Sequence, residues 1–309
     1  MQHKKRCFRG RLALPEVFME QISRKAYAKI NIGLDVLRRR EDGYHELKMI
    51  MQTVDICDDL VFERTAEQGI AIRTDHEELP VDGGNLIYKA ADLLFREKKI
   101  AEGVKITLTK RIPIAAGMAG GSSDAAATMH GLNELFGMGY SIQKLQELGV
   151  KLGADIPYCL VGGTMLSEGI GEILTPLPTP PDCFLVVAKP DINVSTAFVY
   201  GNLHADKLTD HPDIDGMVDA LRTGSLKGMT DRLGNVLETV TVKEYPVIEE
   251  IKDLLRNMGA ENALMSGSGP SVFGIFTERE AAEAAAMAVE GNKLAGQIFV
   301  TTFRNVVII

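Results

Sequence analysis

The chain has 309 residues, 45% of them hydrophobic and 25% charged, the mix of an ordinary folded protein long enough for two packed units. A formal charge of −8 and the absence of Trp argue against a general grip on nucleic acid, and no apolar run reaches the roughly 20 residues that span a bilayer. Cys7, Cys57, Cys159 and Cys183 stand far apart without a CxxC pair, which argues against structural zinc and disulfide scaffolds and fits a reducing, cytoplasmic compartment.

Residues 1–18 carry Lys4, Lys5, Arg6, Arg9 and Arg11 against Glu16 alone, leaving −12 on the remaining chain. They lack the apolar core of a signal peptide and read as a basic tail, or as an extension ahead of a start at Met19. Over 26–36 the alternation is strict: Ala26, Ala28, Ile30, Ile32, Leu34 and Val36 share one face, Lys29 and Asn31 the other. This predicts a strand with one buried face. A turn-rich stretch at 39–45 precedes strand-like runs near 48–56, 59–64 and 69–73. Leu86, Ala90, Leu93 and Leu94 give a helix over 85–99 its apolar face. A strand near 105–114 runs into a glycine-rich loop, and helices follow up to Phe136 and over 141–152.

The Pro-rich stretch TPLPTPPD at 175–182 is the natural boundary. Beyond it come a strand at 183–189 and helical patterns near 214–222, 226–240 and 246–258, the last with Pro246 in its first turn and Gly259 at its C-terminal cap. Strands at 262–266 and 271–277, a helix at 279–290 and a strand at 297–308 complete the chain. Strands and helices mix in both halves, which gives an α+β class with an N-terminal domain over 19–177 and a C-terminal one over 178–309.

Three stretches carry chemistry. In PIAAGMAGGSSDAAA (113–127) a strand ends, Gly117, Gly120 and Gly121 permit tight backbone turns, and Ser122 or Ser123 can cap the helix that follows. Bare N–H groups at a positive helix end suit an anion such as a nucleotide phosphate. No Gly-Lys-Ser/Thr follows, so this is not a Walker A loop, and by glycine content alone a structural turn stays equally open. The second stretch, SGSGPSVFG (266–274), reads as a β-hairpin or as backbone held close to a ligand. In the third, GADIPY (153–158), Asp155 stands before Pro157 either as a turn residue or as a carboxylate poised for general-base work.

In this order the three motifs resemble those of GHMP-superfamily small-molecule kinases. More narrowly, AYAKINIGLDVLRRREDGYHEL (26–47), GADIPY and NALMSGSGPSVFG (262–274) resemble the branch that phosphorylates the C2 hydroxyl of a cytidine-diphosphate-bearing methylerythritol on a route to isoprenoids. The resemblance runs from about Arg24 to the C-terminus. It implies a two-domain fold, with an N-terminal βαβ-containing ATP domain, a C-terminal ferredoxin-like domain and the active site between them. It also implies that Lys29 and Asp155 form the catalytic pair. The ATP phosphate loop would be Pro113, Ile114, Ala115, Ala116, Gly117, Met118, Ala119, Gly120, Gly121, Ser122 and Ser123. Asn31, on the face of Lys29, would hold substrate oxygen, and Tyr44 and His45 would read cytosine, with Tyr200 as an opposite aromatic wall. Mg2+ is expected on the phosphates, with Ser123 a ligand by superfamily analogy, and the protein is expected as a monomer or homodimer. Alternatives are another kinase of the superfamily, acting on homoserine, mevalonate or a sugar, and a non-catalytic nucleotide- or RNA-binding module.

Overall fold

The structure, a computed structural model, describes residues 20–305; the basic stretch at 1–18 and the end of the 297–308 run lie outside the described residues. The first half opens with β1 (Gln21–Arg39) and β2 (His45–Thr65), joined by a turn in which the Arg40 amide donates to the Tyr44 carbonyl. The runs expected near 48–56 and 59–64 are this one long strand. β3 (Gly69–Thr74), α1 (Leu86–Lys98) and β4 (Gly103–Thr109) form a βαβ unit with its strands parallel. Asn85 caps α1 by accepting from the Ile87 amide. β4 stops short of the expected 114 because the Arg111 and Ile112 amides turn to the Asp58 carboxylate instead of a neighbouring strand. The half closes with α2 (Gly120–Leu135), α3 (Ile142–Gly149), α4 (Ile156–Cys159), β5 (Thr164–Gly169) and β6 (Ile173–Pro176).

The second half contains β7 (Phe184–Lys189), α5 (Thr196–Asn202), α6 (Ile214–Arg222), α7 (Leu226–Thr230), β8 (Gly234–Asn235), α8 (Glu238–Glu244), α9 (Val247–Asn257), β9 (Asn262–Met265), β10 (Val272–Phe276), α10 (Arg279–Gly291) and β11 (Gln297–Thr302). The helix expected over 226–240 is two short helices split by β8, which pairs in parallel with Gly33 and Leu34 of β1. The first sheet therefore runs β3-β4-β2-β1-β8, with β5 on β2 and β6 on β5. The second runs β11-β7-β10-β9, fully antiparallel. That is the strand order of a ferredoxin-like βαββαβ unit.

One irregularity decides what β1 shows to the cleft. Its pairing with β2 shifts between Asn31, opposite Met51, and Gly33, opposite Ile50. The extra residue is a β-bulge, and one residue of slip sends every later side chain to the other face. Ile30 and Ile32 point toward the second sheet and share an apolar cluster with Ile50, Leu185, Phe273 and Ile275. Leu34 and Val36 instead join the cluster of Met49 and Met51 on the side of Lys29 and Asn31. The strand thus has two buried faces, not the one that strict alternation predicts. Each fully buried Ile or Leu here contributes about 1.5–3 kcal/mol.

Candidate active site

A cleft of about 1430 Å³ is walled by β1, the 113–123 loop, the start of α2, the corner before α4, and α5. The loop leaves β4 and is tied to β1 by the Lys29 amide, which donates to the Met118 carbonyl at 3.1 Å. Ala115, Gly117 and Ala119 all take left-handed backbone, with φ of 51°, 71° and 56°. Glycine is required at 117, since a Cβ there would lie 2.1 Å from the Ser266 carbonyl oxygen. Ala119 occupies the N-cap of α2 without a side-chain bond, so neither Ser122 nor Ser123 caps the helix. The first-turn N–H groups of α2 have no partner inside the helix, and Gly120, Gly121 and Ser122 line the cleft. This is the positive end of a 16-residue helix, fit for phosphate.

Pro113, Ile114, Ala115, Ala116, Gly117 and Ala119 also line the cleft, whereas Met118 and Ser123 do not. Met118 packs into the cluster between the sheets. Ser123 turns inward, its hydroxyl donating to the Tyr27 carbonyl at 2.6 Å, with Cys159 Sγ 3.4 Å away. Successive helix positions are rotated by about 100°, which turns Ser123 away while Ser122 faces the cleft. Ser123, expected as a metal ligand, faces inward here, and Ser122 is the serine that lines the cleft.

Lys29 is 5% exposed, and its ammonium donates to Asn31 Oδ1 at 2.7 Å. Asp155 stands just ahead of α4, and its side chain makes no capping bond. Its Oδ2 lies 3.8 Å from Lys29 Nζ, with about a third of the side chain open to solvent. A carboxylate free of local bonds beside a buried ammonium can take a proton from an incoming hydroxyl. Cys159 nearby is no rival nucleophile, because burial, reinforced by the Asp155 charge, pushes its thiol up to about 12.

On the wall of the same cleft the rings of His45 and Tyr200 meet, centroids 5.1 Å apart and planes tilted by 36°. Burial, and then the Arg39 charge, lower the His45 pKa, so the ring is neutral at pH 7 and offers one donor and one acceptor. Burial and the Asp155 charge raise the Tyr200 phenol, which stays protonated. Tyr44 is 58% exposed at the rim of the same cleft. The structure therefore brings Tyr200 against His45 and leaves Tyr44 outermost.

Two cleft residues escaped the sequence reading. Lys110 sits between Asp58 and Asp124, 3.0 Å from Asp124 Oδ2, with 5% or less of each of the three side chains exposed. Burial pushes the Asp124 carboxyl up to about 8 against the opposing pull of Lys110, and its Oδ1 is buried with no hydrogen-bond partner. The signal was present in the sequence: Lys110 directly precedes the loop and Asp124 lies in the first turns of the helix after it.

Fold and cleft together define a GHMP kinase. The family model of the GHMP kinases N terminal domain matches residues 85–163, and that of the GHMP kinases C terminal domain matches 217–294. The 4-diphosphocytidyl-2-C-methyl-D-erythritol kinase of Lachnoclostridium phytofermentans is 52% identical over 285 residues, 92% of this chain and 98% of its own length. The enzyme of the same name from Enterococcus faecalis is 49% identical over 263 residues, 85% of this chain and 93% of its own. A crystal structure of 4-(cytidine 5'-diphospho)-2C-methyl-D-erythritol kinase aligns with a TM-score of 0.78 at 33% identity, covering 91% of this chain and 99% of that one. A homoserine kinase from Cytophaga hutchinsonii shares the fold at 20% identity, with a TM-score of 0.74 over 96% of this chain and 98% of its own. The chain belongs to the 4-diphosphocytidyl-2-C-methyl-D-erythritol kinase family.

Proposed function

We propose that the chain transfers the γ-phosphoryl group of ATP to the C2 hydroxyl of 4-diphosphocytidyl-2-C-methyl-D-erythritol, a step toward isoprenoid precursors. The observation that carries the mechanism is the Lys29–Asp155 pair, 3.8 Å apart in a cleft that also presents a helix start and two touching rings. Phosphoryl transfer needs alignment and charge stabilisation more than covalent chemistry. The first-turn N–H groups of α2 hold the phosphates. His45 and Tyr200 hold the cytosine, with Tyr44 closing over it from the rim. Asp155 accepts the proton of the attacking hydroxyl, while Lys29 balances the charge that develops on the transferred oxygens. Asn31 steadies Lys29 and offers its amide to substrate oxygen without adding charge.

Among the described residues no group of three or more His, Cys, Asp or Glu could hold a metal unaided. The cleft instead offers hard single oxygens, which fits Mg2+ carried in mainly by phosphates. Ser122 would hold it together with the phosphate oxygens, where it supplies neutralising charge on the β- and γ-oxygens. In this reading residues 19–177 form the ATP domain and 178–309 the domain that completes the cleft, in a cytoplasmic monomer or homodimer. Among the described residues no helix is long and apolar enough to cross a membrane.

Coupled ADP release tests the reading. Turnover is expected with the cytidylated substrate and not with homoserine, mevalonate or methylerythritol phosphate lacking the nucleotide. A site built to pair a base edge rejects analogues that lack it. Faster turnover of any competitor would overturn the substrate assignment, and binding of RNA without turnover of any of them would favour the non-catalytic alternative.

A further inference from the structure

The segment Asn235-Val236-Leu237-Glu238 lies far from the reacting atoms in sequence, yet its two polar side chains grip one point. Asn235 is 7% exposed, and its Nδ2 donates both to the Met265 carbonyl at 2.9 Å and to the Gly267 carbonyl at 2.8 Å. Its Oδ1 accepts from the Leu237 amide at 3.0 Å, so every strong donor and acceptor of the side chain is engaged. Glu238 takes the other side of the same residue: its Oε1 accepts from the Met265 amide at 2.8 Å, and its Oε2 is fixed by Lys252 at 2.8 Å. Met265 ends β9, and the 266–271 loop follows it.

That loop touches the 113–123 loop. Ser266 Oγ donates to the Gly117 carbonyl at 3.0 Å, and the backbones approach so closely that a Cβ at Gly267 would stand 3.0 Å from the Gly117 oxygen. Asn235 is itself anchored on β1, paired with Leu34 and followed by a Val236 amide donating to the Leu34 carbonyl at 3.1 Å. A path of hydrogen bonds therefore runs from the strand of Lys29 through Asn235 and Glu238 to Met265 and Gly267, then through Ser266 to Gly117.

We propose that Asn235 and Glu238 are positioning residues which clamp the second glycine loop so that it braces the first in its nucleotide-binding shape. The inference rests on reading residues 113–123 as the nucleotide loop. Neither side chain touches a ligand; both act through backbone carbonyls and amides that a misplaced loop would leave buried and unpaired. α5, which carries Tyr200, has anchors of its own in the Ser195 cap and the fully buried Val199, and it meets the second loop through one side-chain bond, Thr196 Oγ1 to Ser268 Oγ at 2.9 Å, so a loosened loop reaches the cytosine end less than it reaches Gly117.

The test is calorimetric binding of a non-hydrolysable ATP analogue and of the cytidylated substrate to the full chain, below the melting temperature of each variant. Asn235→Asp keeps the shape and the acceptor for Leu237 but sets an anion against two carbonyl oxygens. It is expected to weaken the ATP analogue about tenfold while changing the cytidylated substrate less than about twofold. Glu238→Ala should follow it, and Glu238→Gln, which keeps the acceptor for the Met265 amide, should restore affinity for the analogue. Should Asn235→Asp fail to fold, Ser266→Ala removes only the last bond of the path and should weaken the analogue about threefold. An ATP-analogue affinity within about twofold of wild type in Asn235→Asp or, in its place, in Ser266→Ala, or an equal loss for both ligands, would overturn the clamp. Failure of the wild type itself to bind the analogue would overturn the nucleotide-loop reading instead.

Discussion

Two lysine–aspartate constellations face the same cleft and differ in how completely they are satisfied. Lys110 is enclosed by Asp58 and Asp124, and Asp58 also accepts from the Arg111 and Ile112 amides. Lys29 has a single amide oxygen at bonding distance and meets Asp155 only at 3.8 Å. A closed, buried ion cluster holds its lysine on two carboxyl groups at once, even though Asp124 Oδ1 itself has no hydrogen bond, and removing the lysine takes the partner from both. A loose pair beside an open carboxylate keeps donor and acceptor capacity for the reaction. Residue type does not separate the two pairs; access does, with 5% or less of each side chain around Lys110 exposed against about a third of Asp155.

The comparison can be broken at four places. Asp155→Asn should lower kcat about 10²–10⁴-fold while leaving the urea midpoint near wild type, and a variant that keeps half its turnover would end the base assignment. Lys110→Met should do the reverse, losing about 3–5 kcal/mol of stability by taking the shared cation away from buried Asp58 and Asp124. A loss under about 1 kcal/mol in urea titration would show that the cluster relaxes into water.

The third concerns pH. With the native Asp124 carboxyl raised to about 8 from an ordinary 3.8, the folded state keeps a proton that the unfolded chain has released. Its contribution is fully present below about pH 4 and is lost as pH rises through about 8. Thermal melting between pH 6 and 8 should therefore fall more steeply in wild type than in Asp124→Asn; parallel curves would mean that Lys110 holds Asp124 ionised. The smallest effect belongs to an exposed version of the same chemistry, Lys25 with Asp59, whose side chains are 54% and 35% open. Lys25→Ala should cost less than about 1 kcal/mol, and this should shrink further in salt.

Much of this was legible in the sequence where pattern and geometry share a period. The alternation at 26–36 located β1, Asn85 and Lys99 bracketed α1, and the glycines of 113–121 announced the turn into α2. What escaped was local and non-periodic. A single bulge after Asn31 moved Leu34 to the cleft side, and no alternation rule can register one extra residue. The helical run over 226–240 concealed β8 because a two-residue strand has no period of its own, so the Asn235 and Glu238 clamp went unseen. Ser122 and Ser123 were indistinguishable as letters; only the helix phase, set by Ala119 in left-handed backbone, tells which one faces out.

β8 has a consequence for anyone who would cut the gene in two. Residues after 177 return a strand to the outer edge of β1, and near the end of the chain Phe303 bridges to Val54 while the Arg304 amide donates to the Thr53 carbonyl. A fragment ending at the Pro-rich boundary would expose the edge of its longest apolar strand pair, a template for self-association. Each fragment made alone should accumulate as insoluble material, and the two should become soluble only when synthesised together.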